Sequence, residues 1–364
     1  MSLTANISPA NMALTGNPIK LSINSSSLAT YTILVGEQTI FTGSGEGNFF
    51  VFIQDILADI VQPAQLYNES EEVLLQAEGC SRNVTINVSN SEKNNLTISL
   101  KVFIGGVSKR MLRHLNDENK NVFIWKLMNP DGNFFQTTRT SERLITIRET
   151  ELLPLSFIYP DGGILRVIAN GMETALVGVA GQPVALNLYR LRKQLFDTHH
   201  ILASIFDIYV GETKSCTIAI TPGTISRERY LLQFLNSYGS YELIEITGIG
   251  SIKREAEKEN AFNKYDEVID DYVESWERLS GRESMTVDSG YRTNDELIHL
   301  IDLLSSDDIK LLGLDGRNIR VNITAENLTR ASRATVPESI KLSLRFADSE
   351  QRYTGSFTDD DLGS

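Results

Sequence analysis

A chain of 364 residues exceeds what one core holds and points to roughly two or three domains. At 41% apolar and 22% charged residues it is ordinary globular material, neither disordered nor membranous. A formal charge of −13 argues against a nucleic-acid surface, which needs a basic patch, and it favours solubility and repels anionic membranes.

The N-terminus, residues 1–18, has no basic region leading into an apolar core, so no signal peptide is expected. No run approaches the ~18 apolar residues of a membrane span. The chain is therefore expected to be made in the cytoplasm and to leave it, if at all, by lysis or a dedicated assembly. The Asn-x-Ser/Thr triplets at Asn83, Asn87, Asn95, Asn322 and Asn327 are then the residue bias of β-rich sequence.

Leu14-Thr15-Gly16-Asn17-Pro18 reads as a turn feeding a half-buried strand at Ile19, Leu21 and Ile23. Residues 31–35, a Gly36-Glu37 turn and residues 39–42 read as a hairpin. Gly43-Ser44-Gly45-Glu46-Gly47-Asn48 reads as a loop before a strand at 49–53, and 55–60 as a short turn or helix. Strands follow at 73–76, 83–89 and 97–104. Many short strands with turn signals and no long helix indicate a β-sandwich.

The pattern returns at an offset of 134, from Leu21 to Leu155. The hairpin from Tyr31 to Phe41 is echoed by residues 165–175, turning at Asn170-Gly171. Phe50 and Phe52 fall on Val184 and Leu186, Leu57 on Leu191, and Val84 and Ile86 on Ile218 and Ile220. One constant spacing indicates a duplicated module. Between the copies, 108–116 reads as a short helix, 122–127 as a strand, Asn129-Pro130-Asp131-Gly132 as a strong turn and 144–149 as another strand.

The stretch 227–250 changes character. An apolar segment runs to Leu235-Asn236, breaks at Tyr238-Gly239-Ser240, and becomes an alternation at Tyr241, Leu243, Glu245 and Thr247. Gly239 is read as a backbone shape that other residues resist. Further on, Phe262, Tyr265, Ile269, Tyr272, Trp276 and Leu279 are spaced 3, 4, 3, 4 and 3, which predicts an amphipathic helix stopped at Gly281. An extended reading competes, because Tyr, Val, Ile and Trp favour strands. Thr293 and Glu296 then cap a helix through Leu304. Residues 309–312 and 319–323 form a hairpin, 339–346 a last strand, and 353–364 a disordered acidic tail. The fold class is thus mainly β: tandem immunoglobulin-like β-sandwich modules (1–104 and 142–224, joined by 105–141) followed by a smaller α+β domain (225–352).

Chemistry is not indicated. Cys80 and Cys216 lie far apart without a nearby His, so buried thiols are expected. His199 and His200 are adjacent and so point apart, and His114 and His299 are isolated from recognised catalytic or ligand spacings. Gly43–Gly47 and Gly248-Ile249-Gly250 resemble phosphate cradles only in their glycines, since no helix or Lys-Ser/Thr follows. Asp266, Glu267, Asp270 and Asp271 read as a solvated face, without the turn and spacing of a calcium loop. Trp125 reads as core or interface before ligand platform. No catalytic, cofactor-binding or metal-ligating residue is nominated, and the chain is read as non-enzymatic.

Leu235-Asn236, Gly239 and Glu242, then Gly290-Tyr291 with Thr293, then Leu303-Leu304-Ser305-Ser306 and the hairpin at 309–323 resemble the C-terminal regions of tail structural proteins of tailed bacteriophages and prophages. The resemblance covers about 225–350, roughly a third of the chain. It implies a role in building a virion, with self and other tail or assembly proteins as partners and no catalytic residues to carry over. The alternative is a carbohydrate-binding or adhesive surface protein using exposed aromatics. A hydrolase, needing two converging carboxylates, stands third.

Overall fold

The computed structural model of the protein describes residues 3–118, 120–226, 228–313, 318–325 and 338–347. The chain is mainly β and divides into two units. The first gathers Met1–Ile147, Leu152–Thr221 and Asn236–Tyr241; the second gathers Arg148–Glu151, Pro222–Leu235 and Glu242–Ser364. The expected acidic tail at 353–364 and the turn at 314–317 lie outside the described residues.

The first unit opens with β1 (Thr4–Ser8), β2 (Asn11–Leu14), β3 (Lys20–Val35), β4 (Gln38–Phe52), α1 (Gln54–Ala58), β5 (Leu74–Gln76), β6 (Ser81–Asn90) and β7 (Asn95–Phe103). One sheet has the order β1-β3-β6-β7-β2, with β4 on β3. The strands expected at 19–24 and 31–35 are one strand, bent where the register shifts between Ser25 and Ala29. Its alternation buries Leu21, Ile23, Tyr31 and Ile33 against Val84, Ile86 and Val88 of β6, with Ile53 and Leu57 at α1.

The expected loop at 43–48 is instead the middle of β4. Glycine is poor strand material, but here aromatic rings take the place of its missing side chain. The Tyr31 ring lies where a Cβ on Gly43 would stand, and the Phe49 ring comes within 2.9 Å of one on Gly45.

The chain continues through α2 (Lys109–Asp117) and a π-helix (Phe123–Leu127). The strand expected at 122–127 is this π-helix: its residue types favour strands, but tertiary burial of Phe123 and Leu127 beside Phe103 decides. Then come β8 (Thr140–Ser141), β9 (Leu144–Arg148), β10 (Leu155–Ile158), β11 (Leu165–Ala169), β12 (Met172–Leu176), β13 (Pro183–Leu186), α3 (Leu188–His199), β14 (Ile205–Val210) and β15 (Thr213–Thr221). A three-stranded sheet, β10-β13-β5, faces a six-stranded one, β12-β11-β14-β15-β9-β8. Phe157, Val184 and Leu186 of the former pack with Leu165, Val167, Ile208 and Ile218 of the latter.

The order β4-β3-β6-β7 is matched by β12-β11-β14-β15. The offset of 134 does not carry through the last strands, however. Val84 and Ile86 pair with Val35 and Ile33 on β3, whereas Ile218 pairs with Phe206 on β14, one strand further from the hairpin.

Backbones meet closely in this unit. Gly16 N–H donates to the Gly105 carbonyl at 2.8 Å, and Gly106 N–H to the Ser237 carbonyl at 2.7 Å. Gly239 has φ +83°, and a Cβ there would sit 2.6 Å from Ile104 Cγ2 and 2.9 Å from Ile104 C. The left-handed shape read at Gly239 is therefore present, and it belongs to the turn 236–241 packed on residues 104–106.

The second unit has β16 (Arg229–Leu235), β17 (Tyr241–Thr247), β18 (Ser251–Asp266), β19 (Asp271–Arg292), α4 (Asn294–Leu304), β20 (Ile309–Leu312), β21 (Asn318–Ala325) and β22 (Glu338–Phe346). They form one sheet in the order β17-β16-β20-β21-β22-β19-β18. Leu297, Leu300 and Leu303 of α4 cover Leu232, Phe234, Ile244, Leu311, Leu342 and Leu344. Thr293 and Glu296 form the reciprocal capping box expected from the sequence.

Of the helical and extended readings of 252–279 the extended one holds: the stretch is a hairpin of β18 and β19. Its constant register places Tyr265 opposite Tyr272, and Ala261 opposite Trp276.

Two stability measurements follow. Gly239→Ala is expected to cost about 1–3 kcal/mol for overpacking beyond the ~1–2 kcal/mol of a left-handed alanine. Gly36→Ala, at φ +60° with nothing within 4 Å of its Cβ, bears the backbone cost alone. Urea unfolding of the two variants checks the difference. Burial pushes the Cys216 thiol up to about 12 against the nearby Lys126, and raises Cys80 also. Neither thiol should react with a disulfide reagent at pH 8 until the chain is unfolded. Since the raised thiol keeps its proton in the folded state only, stability should fall as pH rises from 9 toward 12.

Candidate interaction surface

Beyond Ser284, β19 has only β18 beside it among the described residues, because β22 pairs with β19 from Ser284 to Arg292. The two strands continue as a ribbon, with no third strand among the described residues, to a turn at 267–270. From Arg254 to Asp266 the strand rises about 3.3 Å per residue, so the ribbon spans ~40 Å. The turn is set by its carboxylates. Asp266 Oδ1 accepts from Val268 N–H at 2.9 Å, and Asp270 is left-handed at φ +52°. The Tyr265 hydroxyl donates to Asp270 Oδ1, and this carboxylate, with a smaller effect of burial, holds the phenol above its ordinary range.

The pleat sorts the apolar residues. Tyr265, Tyr272 and Trp276 share one face, with the two tyrosine rings edge to face at 5.4 Å. Phe262 and Val273 share the other. Val268 and Ile269 form the tip, 93% and 57% exposed, and Tyr272 is 67% exposed. The regular 3,4 spacing in the sequence thus arises from two strands and a turn and marks no helix. A two-stranded hairpin is marginal by itself in water, and exposed apolar clusters mark interaction sites. The four carboxylates Asp266, Glu267, Asp270 and Asp271 ring this tip, with Lys264 the cation among them.

A second apolar patch lies in the first unit. Phe50 and Phe52, two residues apart on β4, are 58% and 49% exposed, with ring centroids 5.7 Å apart. Lys20, on the adjacent strand, places Nζ 4.3 Å from the Phe50 ring centre. Sequence reading placed these phenylalanines in the duplicated strand pattern and missed their outward face. The alternation of β4, with Phe49 and Val51 turned inward, carries that signal.

Other candidates are placed as follows. Trp125 is half-buried in the π-helix, its carbonyl accepting from Asn129 Nδ2 at 3.1 Å. A cleft of about 480 Å³ is lined by polar groups including Gln76, Arg82, Asn83, Lys101 and Gln182, and no aromatic lines it. His114 is exposed beside Glu118, and His200 caps α3 at φ +56°. His299 is buried in the second unit, its Nε2 3.8 Å from Glu242 Oε2 and its ring 5.1 Å from that of Phe234. Among the described residues no group of three or more His, Cys, Asp or Glu converges as a metal site.

A buried charge cluster in the second unit is satisfied internally. Glu245, 1% exposed, accepts from Thr224 N–H at 3.1 Å and from the Thr150 hydroxyl, with Arg148 at 3.7 Å. Its own N–H donates to Glu151 Oε1 at 2.7 Å. Arg292 donates to the Glu245 carbonyl and lies 3.4 Å from Glu296, which also pairs with Arg148 at 3.3 Å. These groups hold α4 and the strand ends together.

No protein family matches the sequence, and no curated protein does. Solved structures that the chain is similar to include the periplasmic chaperone SfaE, at 8% identity over 61% of this chain and 100% of that one, with a TM-score of 0.20. A 1.5-MDa bacterial ice-binding adhesin is similar at 11% identity over 79% of this chain and 92% of that one, TM-score 0.17. The Bacteroides ovatus protein SGBP-B, in complex with a mixed-linkage heptasaccharide, is similar at 8% identity over 79% and 65%, TM-score 0.17. Likenesses this slight carry no argument about fold or function. Among the described residues no helix is long and apolar enough to cross a membrane.

Removing one member of the buried cluster should be costly. Glu245→Leu leaves Thr224 N–H and the Thr150 hydroxyl without their acceptor and takes from Arg148 one of its two carboxylate partners, and should destabilise by about 3 kcal/mol. Glu296→Ala, which weakens a half-exposed cap, should cost about 1 kcal/mol. Thermal unfolding followed by circular dichroism separates the two.

Proposed function

We propose that the chain is a structural subunit that works through contacts with copies of itself and with neighbouring proteins, and performs no reaction of its own. The observation that carries this reading is the ribbon of β18 and β19, which leads aromatic and aliphatic side chains away from its sheet and leaves them exposed at a turn. Burial of such a tip is favourable only against another surface. The resemblance of 225–350 to tail proteins of tailed bacteriophages supports placing the subunit in a tail or baseplate-associated part of a virion.

In a second reading, a carbohydrate-binding or adhesive surface protein, the polar cleft at Asn83 and Lys101 would supply hydrogen-bonding groups without an aromatic platform.

The test is sedimentation of the full chain beside a variant in which residues 254–283 are replaced by an Asn-Gly turn. Concentration-dependent association of the full chain is expected, together with loss of association and an unchanged melting temperature in the variant. A full chain that stays monomeric at every concentration overturns the structural reading. Specific retention on a glycan array, lost in Asn83→Ala, would replace it with the second.

A further inference from the structure

We infer that the ribbon tip of one copy docks on the Phe50–Phe52 face of a second copy. This deepens the structural reading above and rests on it. Each surface is exposed in the single chain: Val268 at 93%, Tyr272 at 67%, Phe50 at 58% and Phe52 at 49%. Each is aromatic, and edge-to-face packing already pairs the rings within both patches, at 5.4 Å for Tyr265 and Tyr272 and 5.7 Å for Phe50 and Phe52.

Their charges are complementary. The tip carries Asp266, Glu267, Asp270 and Asp271 against Lys264. The β4 patch carries Lys20, 4.3 Å from the Phe50 ring centre. The acid on the same strand face, Glu46, is four residues from Phe50, about 13 Å along the strand. A carboxylate of the tip can therefore meet the Lys20 ammonium while Val268 and Ile269 cover the two rings. Both patches also lie on outer strands: β4 pairs with β3, and β18 with β19, with no further neighbour among the described residues.

Such a contact joins two different surfaces. Made in one direction it is heterologous and repeats into a ring or a helical stack, whereas made reciprocally about a two-fold axis it closes as a dimer. The repeating form is the geometry that a particle-building subunit needs.

The test mixes two full-length variants, Phe50→Cys and Val268→Cys, with a short bismaleimide. Cys80 and Cys216 are buried and stay silent. Cross-linked product is expected from the mixture and absent from either variant alone. A variant carrying both substitutions should give a ladder of multimers. In parallel, Lys20→Glu should weaken association about tenfold, and adding Glu267→Lys to it should restore most of that loss. If the unmodified chain associates but the mixture does not cross-link, the docking inference falls and the structural reading stands. If the unmodified chain does not associate at all, both fall.

Discussion

Four glycines set the frame of the first unit. At Gly16, Gly105, Gly106 and Gly239 three backbone segments approach until their amides bond directly, with no β-carbon between them. The parallel pair of β2 and β7 runs into this junction, with Thr15 N–H donating to the Phe103 carbonyl at 2.9 Å. Phe103 in turn anchors the cluster of Phe123, Leu127 and Ile158, and so the π-helix. Side-chain amides complete the arrangement. Gln136 donates to the Tyr238 carbonyl, and Asn236 to the Gln136 carbonyl. Buried backbone groups need such partners, and at Gly105 and Gly239 a β-carbon would collide with the segment opposite.

The second unit is built on a different balance. Its sheet is closed by leucines of α4 and by a buried set of charges in which each carboxylate meets an arginine, a hydroxyl or an amide. Among the described residues its opposite margin is left unfinished. β18 and β19 run on after β22 has ended, and their apolar residues leave the core with them. The same chemistry that elsewhere makes a core becomes a surface here, because the strands outrun the sheet.

Features that depend on local chemistry were legible in the sequence. Asn170-Gly171 gave its hairpin, Thr293 and Glu296 their capping box, and the alternation at Val84, Ile86 and Val88 its strand. Features decided by tertiary contact were not. Glycines 43 and 45 read as part of a loop because nothing local shows Tyr31 and Phe49 lying across them. Residues 122–127 read as a strand because their types favour one, while the core at Phe103 selects a π-helix. The spacing from Phe262 to Trp276 fits a helix because a turn placed midway between two pleated strands reproduces that period by accident. The helix α3 had a readable signal in the cap at Asn187 and the spacing of Leu188, Leu191 and Leu195, obscured by alignment with the shorter α1. The candidate surface was half legible: its residues stood out, while their exposure is a property of the register.

The interleaving of the two units along the chain bears on how the protein is made. Residues 236–241 belong to the first unit, and β5 waits more than a hundred residues for β13. Contacts of such separation are slow to form. A nascent chain cannot finish its first unit until residue 241 has left the ribosome, by which point β16 of the second is already present. The first unit can thus be complete before most of the second is made, yet neither can be cut out as a consecutive fragment that keeps all its own pieces.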